Sequence, residues 1–268
     1  MGCLRRESWI SFSDNYRHIH NGMYHFLRTS VRRTRERVAS FRDDAALRRN
    51  KELFLLYERF AAASENGRII GKSDAVNLYN LVKRRQPRRI LEFGTGIGAS
   101  TAVLALAIGE GTITSLEDSI GCLEIAKRLI PPALNAKVRY MLSPRRAFSV
   151  PQIKYVYFSG YRELPRNGGP YDFVLVDGPD AWIEDGQVVN LPNGDLIPML
   201  PYIASGALIY VDCRKGAARM YEKYLAKYLR VAERGDGHTI FERTGERLAR
   251  LEDLEVKDTR LGNVGLAL

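Results

Sequence analysis

The sequence predicts an α/β fold: a parallel sheet, preceded by a helical extension and closed by an antiparallel hairpin. Three observations predict it. From Ser73 onward, short apolar runs alternate with segments of helical period, the pattern of a parallel sheet with crossover helices. Arg89 to Thr101 reads as a buried strand, a turn with glycine at every second position, and a helix start. Near the end, the β-type runs Leu229 to Glu233 and Thr239 to Glu242 flank Gly235-Asp236-Gly237-His238, a hairpin signal.

The elements follow in order. Tyr16, Ile19, Met23, Phe26 and Leu27 have helical spacing within residues 14 to 30. An arginine-rich helical stretch over 31 to 64 breaks near Asp43-Asp44, with Leu47, Phe54, Leu55 and Phe60 among its apolar positions. Both are expected to pack on the core and cap the site. A helix over Ser73 to Arg84, capped by Ser73, leads to a first strand, Arg89 to Phe93. A helix from Ser100 to Ile108 ends at Gly109-Glu110-Gly111. Thr112 to Leu116 is the second strand, and Ile120 to Leu129 a helix stopped by Pro131-Pro132. Val138 to Leu142 is the third strand. Ser143 to Pro170, with Tyr155, Tyr157, Phe158 and Tyr161, reads as a short extended insertion. Tyr171 to Val176 and Ala207 to Val211 are the fourth and fifth strands, with helices at Asp195 to Ile203 and Ala217 to Tyr228.

A chain of 268 residues is one large domain, or one domain with an extension. The expected division is a basic helical extension over 1–65, a ligand-binding domain over 66–244 and a tail over 245–268. The formal net charge is +10, and residues 1 to 60 hold thirteen Lys/Arg against seven Asp/Glu. A basic face of that kind is usually solvated, but it leaves nucleic acid open as a partner. Cys3, Cys122 and Cys213 have neither metal spacing nor a disulfide framework, which suits a reducing cytoplasm. His18, His20 and His25 do not share one helix face, and no acid completes a metal set. No apolar run reaches membrane-spanning length, and a homodimer is compatible with the composition.

Glu92, Gly94, Gly96 and Gly98 fit the pattern E/D-x-G-x-G-x-G, while Gly94, Gly96 and Ala99 also fit the dinucleotide fingerprint. The first pattern resembles the opening motif of the class I S-adenosylmethionine (SAM) methyltransferases. The element order resembles that family's Rossmann-like sheet of parallel strands with a reversed C-terminal hairpin, over about residues 70 to 243. The resemblance implies that Glu92 holds the methionine ammonium group, directly or through water. It implies that Gly94, Thr95, Gly96, Gly98 and Ser100 form the turn over which the cofactor lies. Glu117, or its neighbour Asp118, is 25 positions beyond Glu92 and would accept the ribose hydroxyls. Ser143 stands where many relatives carry an acid for adenine.

A second motif, Tyr171 to Asp180, delivers Asp177 to the carboxyl edge of the sheet, and Val211 delivers Asp212 to the same edge. Two such acids can hold a divalent cation such as magnesium. The pair resembles the metal-binding acids of the catechol O-methyltransferase-like branch. Cys213 stands there in place of the usual Asn, and Asp180 in place of the usual catalytic Lys. Without a metal, Asp177 is a candidate general base, with Asp180 beside it as a second catalytic candidate. These residues imply a SAM-dependent methyltransferase acting on a hydroxyl of a small-molecule or sugar-like acceptor. Three alternatives stand beside it: an RNA methyltransferase using the basic N-terminus, a non-catalytic SAM- or nucleotide-binding protein, and a dinucleotide oxidoreductase.

Overall fold

The computed structural model describes residues 42–64, 69–154, 156–179, 182–184, 187–246 and 257–258. The basic segment up to residue 41, with its three histidines, lies outside these residues, as does Asp180.

Two helices open the described chain, α1 (42–48) and α2 (Lys51–Ala63). Asn50 caps α2 by accepting the Leu53 amide at 3.0 Å. Helix α3 (Lys72–Arg85) starts two residues earlier than the Ser73 cap predicts, with Gly71 as its N-cap and no side-chain cap. Asp74 in its first turn has another engagement, described below. Then come β1 (Arg89–Phe93), α4 (Ala99–Ala107), β2 (Thr112–Glu117), α5 (Ile120–Leu129), the short α6 (Pro132–Asn135) and β3 (Val138–Leu142). The irregular stretch holds two strands, β4 (Arg145–Ser149) and β5 (Tyr157–Tyr161). Beyond it are β6 (Tyr171–Val176), a hairpin of β7 (Trp182–Glu184) and β8 (Gln187–Val189), and α7 (Leu196–Met199). Next come β9 (Ile203–Asp212), α8 (Lys215–Tyr224), β10 (Leu229–Arg234), β11 (His238–Arg243) and β12 (Lys257–Asp258).

The main sheet has the order β10-β11-β9-β6-β1-β2-β3. Its five strands from β9 to β3 are parallel, while β11 runs antiparallel to both β9 and β10. The order reverses at β1, so the carboxyl ends of β1 and β6 flank a crevice where open α/β sheets bind ligands. A second sheet, β12-β4-β5, comes from the expected extended insertion and from the expected tail.

Side chains two apart along each strand share a face. Ile90, Ile113, Phe173, Leu175 and Tyr210 pack with α1 to α4 on one side. Leu91, Phe93, Val174, Val176, Ile209 and Val211 pack with α7, α8 and the small sheet on the other. Leu47, Leu53, Leu56 and Phe60 are buried in the first of these cores, together with Leu78 and Val103. The core thus continues across the 65/66 boundary expected from the sequence. Among the described residues no helix is long and apolar enough to cross a membrane.

Phe60 is 1% exposed, so Phe60→Ala should destabilise the fold by about 3–5 kcal/mol. Calorimetry should show one unfolding transition in both proteins. Two separable transitions would mean that residues 42–63 fold as an independent unit.

Candidate active site

A cavity of about 780 Å³ opens at the carboxyl ends of β1, β2, β6 and β9, a volume suited to a nucleoside-sized ligand with an acceptor beside it. Its floor is the turn after β1. The Gly94 and Thr95 amides both donate to the Leu116 carbonyl, at 3.1 and 3.0 Å, which ties the turn to β2. At Gly94 φ is +98°, and a Cβ would stand 2.7 Å from the Gly178 nitrogen, so only glycine lets the β1 and β6 loops meet. Gly96, with φ +53°, lines the cavity, and a Cβ there would meet no atom within 4 Å.

Glu92 is the main correction to the sequence reading. Expected at the ligand, it is fully buried and does not line the cavity. Strand alternation puts it on the same face as Ile90, beneath α4. There its carboxylate accepts Ser100 Oγ at 2.7 Å, Thr101 Oγ1 at 2.6 Å and Ser115 Oγ at 2.5 Å. Burial pushes it up to about 6, against the pull of the three hydroxyls. Gly98 and Ser143 also lie off the cavity. Gly98 is the N-cap of α4, packed over Ala126. Ser143 is buried and accepts the Glu163 amide at 2.8 Å, so it serves the backbone rather than an adenine ring.

The other described candidates do line the cavity: Gly94, Thr95, Gly96, Ser100, Glu117, Asp118, Asp177 and Asp212. Glu117 accepts the Gly96 amide at 2.8 Å and the Ser119 amide at 3.1 Å. Burial raises its pKa, and these amides oppose the rise. Asp118 is paired with Arg145, a residue placed at the site by β4. Asp177 stands 3.6 Å from Arg214, whose guanidinium also donates to the Asp177 carbonyl. Tyr161 and Ile69 join the lining from outside the sequence motifs. Tyr161 was legible only as one of several aromatics in an irregular stretch. Its place is fixed by β5, whose Tyr161 amide donates to Asp195 at 2.9 Å. Asp195 is wholly buried and burial pushes it up to about 7.

The two strand-end acids, Asp177 and Asp212, line the same cavity, and Asp177 has the Arg214 guanidinium 3.6 Å away. Asp212 instead has its donor atoms within 4.8 Å of those of Asp74 and Cys213. A thiol is a poor ligand for a hard cation that demands oxygen, so this donor set does not fit magnesium or calcium.

A scan of the sequence against protein-family models finds no match, and a search of curated proteins finds none. Solved structures do resemble it. A methyltransferase from Geobacter sulfurreducens is 19% identical, with TM-score 0.53, over 78% of this chain and 96% of its own. The cofactor-bound protein Rv0187 from MTB is 20% identical, with TM-score 0.52, over 78% of this chain and 97% of its own. A Staphylococcus aureus protein provisionally named a caffeoyl-CoA O-methyltransferase is 18% identical, with TM-score 0.54, over 76% and 98%. At these identities the likeness is one of fold. The chain has the Rossmann-like class I methyltransferase fold.

The folded carboxyl of Glu92 titrates near 6, above its ordinary value of 4.5. The native state therefore binds the proton more tightly than the unfolded chain. This residue's contribution is most favourable below the ordinary value and falls as pH rises from about 4.5 to about 6, by about 2 kcal/mol. In Glu92→Gln that component should vanish. Chemical denaturation of both proteins at pH 4.5 and 6.5 measures it; parallel pH curves would contradict the assignment.

Proposed function

We propose that the protein is a SAM-dependent methyltransferase that methylates a hydroxyl of a small-molecule or sugar-like acceptor. The observation that carries this reading is the charge of the cavity. Four carboxylates line it, from Glu117, Asp118, Asp177 and Asp212, against two guanidiniums among the described residues, Arg145 and Arg214. Each guanidinium is already beside one of those acids. An anionic pyrophosphate would be repelled there, while a ligand carrying sulfonium and ammonium charges is attracted. The sequence argument against a dinucleotide rested on Glu92; in the folded protein these four acids carry it instead.

Bound in this cavity, SAM would supply a methyl group activated by its sulfonium charge. The chain's own residues bind and orient. Glu117, held by two amides, retains lone pairs for the two ribose hydroxyls. The turn from Gly94 to Gly96 gives the ligand close approach to backbone. Asp177, fixed against Arg214, is placed to orient an acceptor hydroxyl, and transfer then needs little beyond in-line positioning and removal of a proton. The methyltransferase name of the Geobacter sulfurreducens structure agrees with this reading.

Thermal unfolding with SAM, S-adenosylhomocysteine (SAH) and NADH tests it. SAM and SAH should each raise the melting temperature, by a stabilisation of about 2.7 kcal/mol at a hundred times the dissociation constant. NADH should not. A shift with NADH alone would replace this reading with a dinucleotide one. The SAM shift should be the same with EDTA as with magnesium; a shift that needs magnesium would restore the two-acid metal site. Glu117→Gln removes one ribose acceptor while keeping an amide partner. It should weaken SAM about tenfold or more, for a loss of about 1.4 kcal/mol. Titration calorimetry measures this.

A further inference from the structure

Asp74, Asp212 and Cys213 form a cluster that methyl transfer, as proposed, leaves unused. One donor atom from each lies within 4.8 Å of the other two. Asp212 ends β9 and is 6% exposed, and its Oδ1 atom is buried without a hydrogen-bond partner among the described residues. Asp74 arrives from the first turn of α3. Its Oδ1 atom accepts the Tyr210 hydroxyl at 3.2 Å and faces His238 Nδ1 at 3.1 Å. Both contacts fall on that one oxygen, so the carboxylate is held in place with Oδ2 left over. A Cβ at Gly237 would stand 2.8 Å from Oδ2, so a glycine in the β10–β11 turn is what admits Asp74.

Strand alternation alone sends Asp212 and Cys213 to opposite faces. The chain turns at Cys213 instead, where φ is +46° and the amide donates to the Gly237 carbonyl at 2.6 Å. Carboxylate and thiol thereby meet on one side, with Asp74 beside them. Two carboxylates enclosed together repel, and a buried oxygen without a partner is costly. A cation answers both. The donors select which one. A thiol with two carboxylates suits a borderline metal such as zinc, which takes sulfur, nitrogen and oxygen ligands, and not magnesium. Zinc holds oxygen at about 2.1 Å and sulfur at about 2.3 Å, so neighbouring donors around it lie about 3.6 Å apart, within reach of side-chain rotation here.

We propose that Asp74, Asp212 and Cys213 form a zinc site, with three protein ligands and one open position. Asp177 is not a member; a helix residue, Asp74, takes part in its stead, which sets the site apart from a strand-end magnesium pair. His238 and Tyr210 fix the Asp74 carboxylate from behind, as hydrogen-bond partners of metal ligands do. The thiolate is the ligand, so the Cys213 proton leaves to solvent on binding. Cys213 is exposed, which gives the ion its entry path. Once bound, the ion ties α3 to the end of β9. None of this depends on the SAM reading.

The test is a titration of chelator-treated, full-length protein with cobalt(II) and then zinc. Cobalt should give the near-ultraviolet charge-transfer band of a cobalt–thiolate bond. Zinc, which thiolate ligands favour, should bleach that band, and a large excess of magnesium should not. Cys213→Ser keeps the thiols of Cys3 and Cys122 and should lose the band. Asp74→Asn should weaken zinc at least tenfold by titration calorimetry. Zinc should also raise the melting temperature of the unaltered protein. Cooperative unfolding of both variants without metal shows that they fold. Absence of the thiolate band in the unaltered protein would overturn the proposal, as would a band that survives in Cys213→Ser or one that magnesium removes. These readings use the metal alone, so their failure leaves the SAM reading untouched.

Discussion

One buried carboxylate organises the ligand edge of this fold. Glu92 has no access to solvent, and its oxygens draw in hydroxyls from β2 and from the first turn of α4. A charge taken out of water is tolerable only when its lone pairs are filled. Here the demand is met by Ser100, Thr101 and Ser115, which are thereby locked against β1. Ser115 also lies 2.6 Å from Thr95 Oγ1, so the same network reaches the glycine turn. From above, Glu117 holds the Gly96 amide. The turn is thus pinned by one acid beneath it and another at its rim, and these set the cavity floor.

The opposite wall has a brace of its own. Asp195 accepts the Tyr161 amide and an Asn193 Nδ2 hydrogen, and Asn193 also donates to the Gly178 carbonyl at 2.5 Å. Tyr221 of α8 closes this network by donating to Asn193. The segment after β6, which carries Asp177, is therefore tied to β5 and to α8. Gly178 and Gly94 meet where the two walls touch. A site built from strand ends and short braced turns is better fixed than one built on free loops.

The charges divide by what stands behind them. Asp118 and Asp177 each have an arginine. Glu117 has two amides. Asp212 has another carboxylate, held by a histidine and a tyrosine. Residue type alone makes these four acids equivalent; their surroundings set them apart.

By itself, the sequence determined the fold and the position of the cavity. Short apolar runs, the glycine turn and the Gly-Asp-Gly-His hairpin signal are local, and each reports backbone geometry that neighbouring residues impose. The strand-end acids Glu117, Asp177 and Asp212 were legible for the same reason, because a strand's length decides where it delivers its last side chain. Which way Glu92 turned was decided by packing under α4, although its alternation with Ile90 already hinted at that face. The tertiary structure alone placed Asp74 against His238, 164 positions away, brought Tyr161 to the cavity, and added Lys257–Asp258 to β4. Those pairings depend on helix docking and on non-local strand pairing. Their free energy comes from burial shared across the whole core rather than from any preference along the chain.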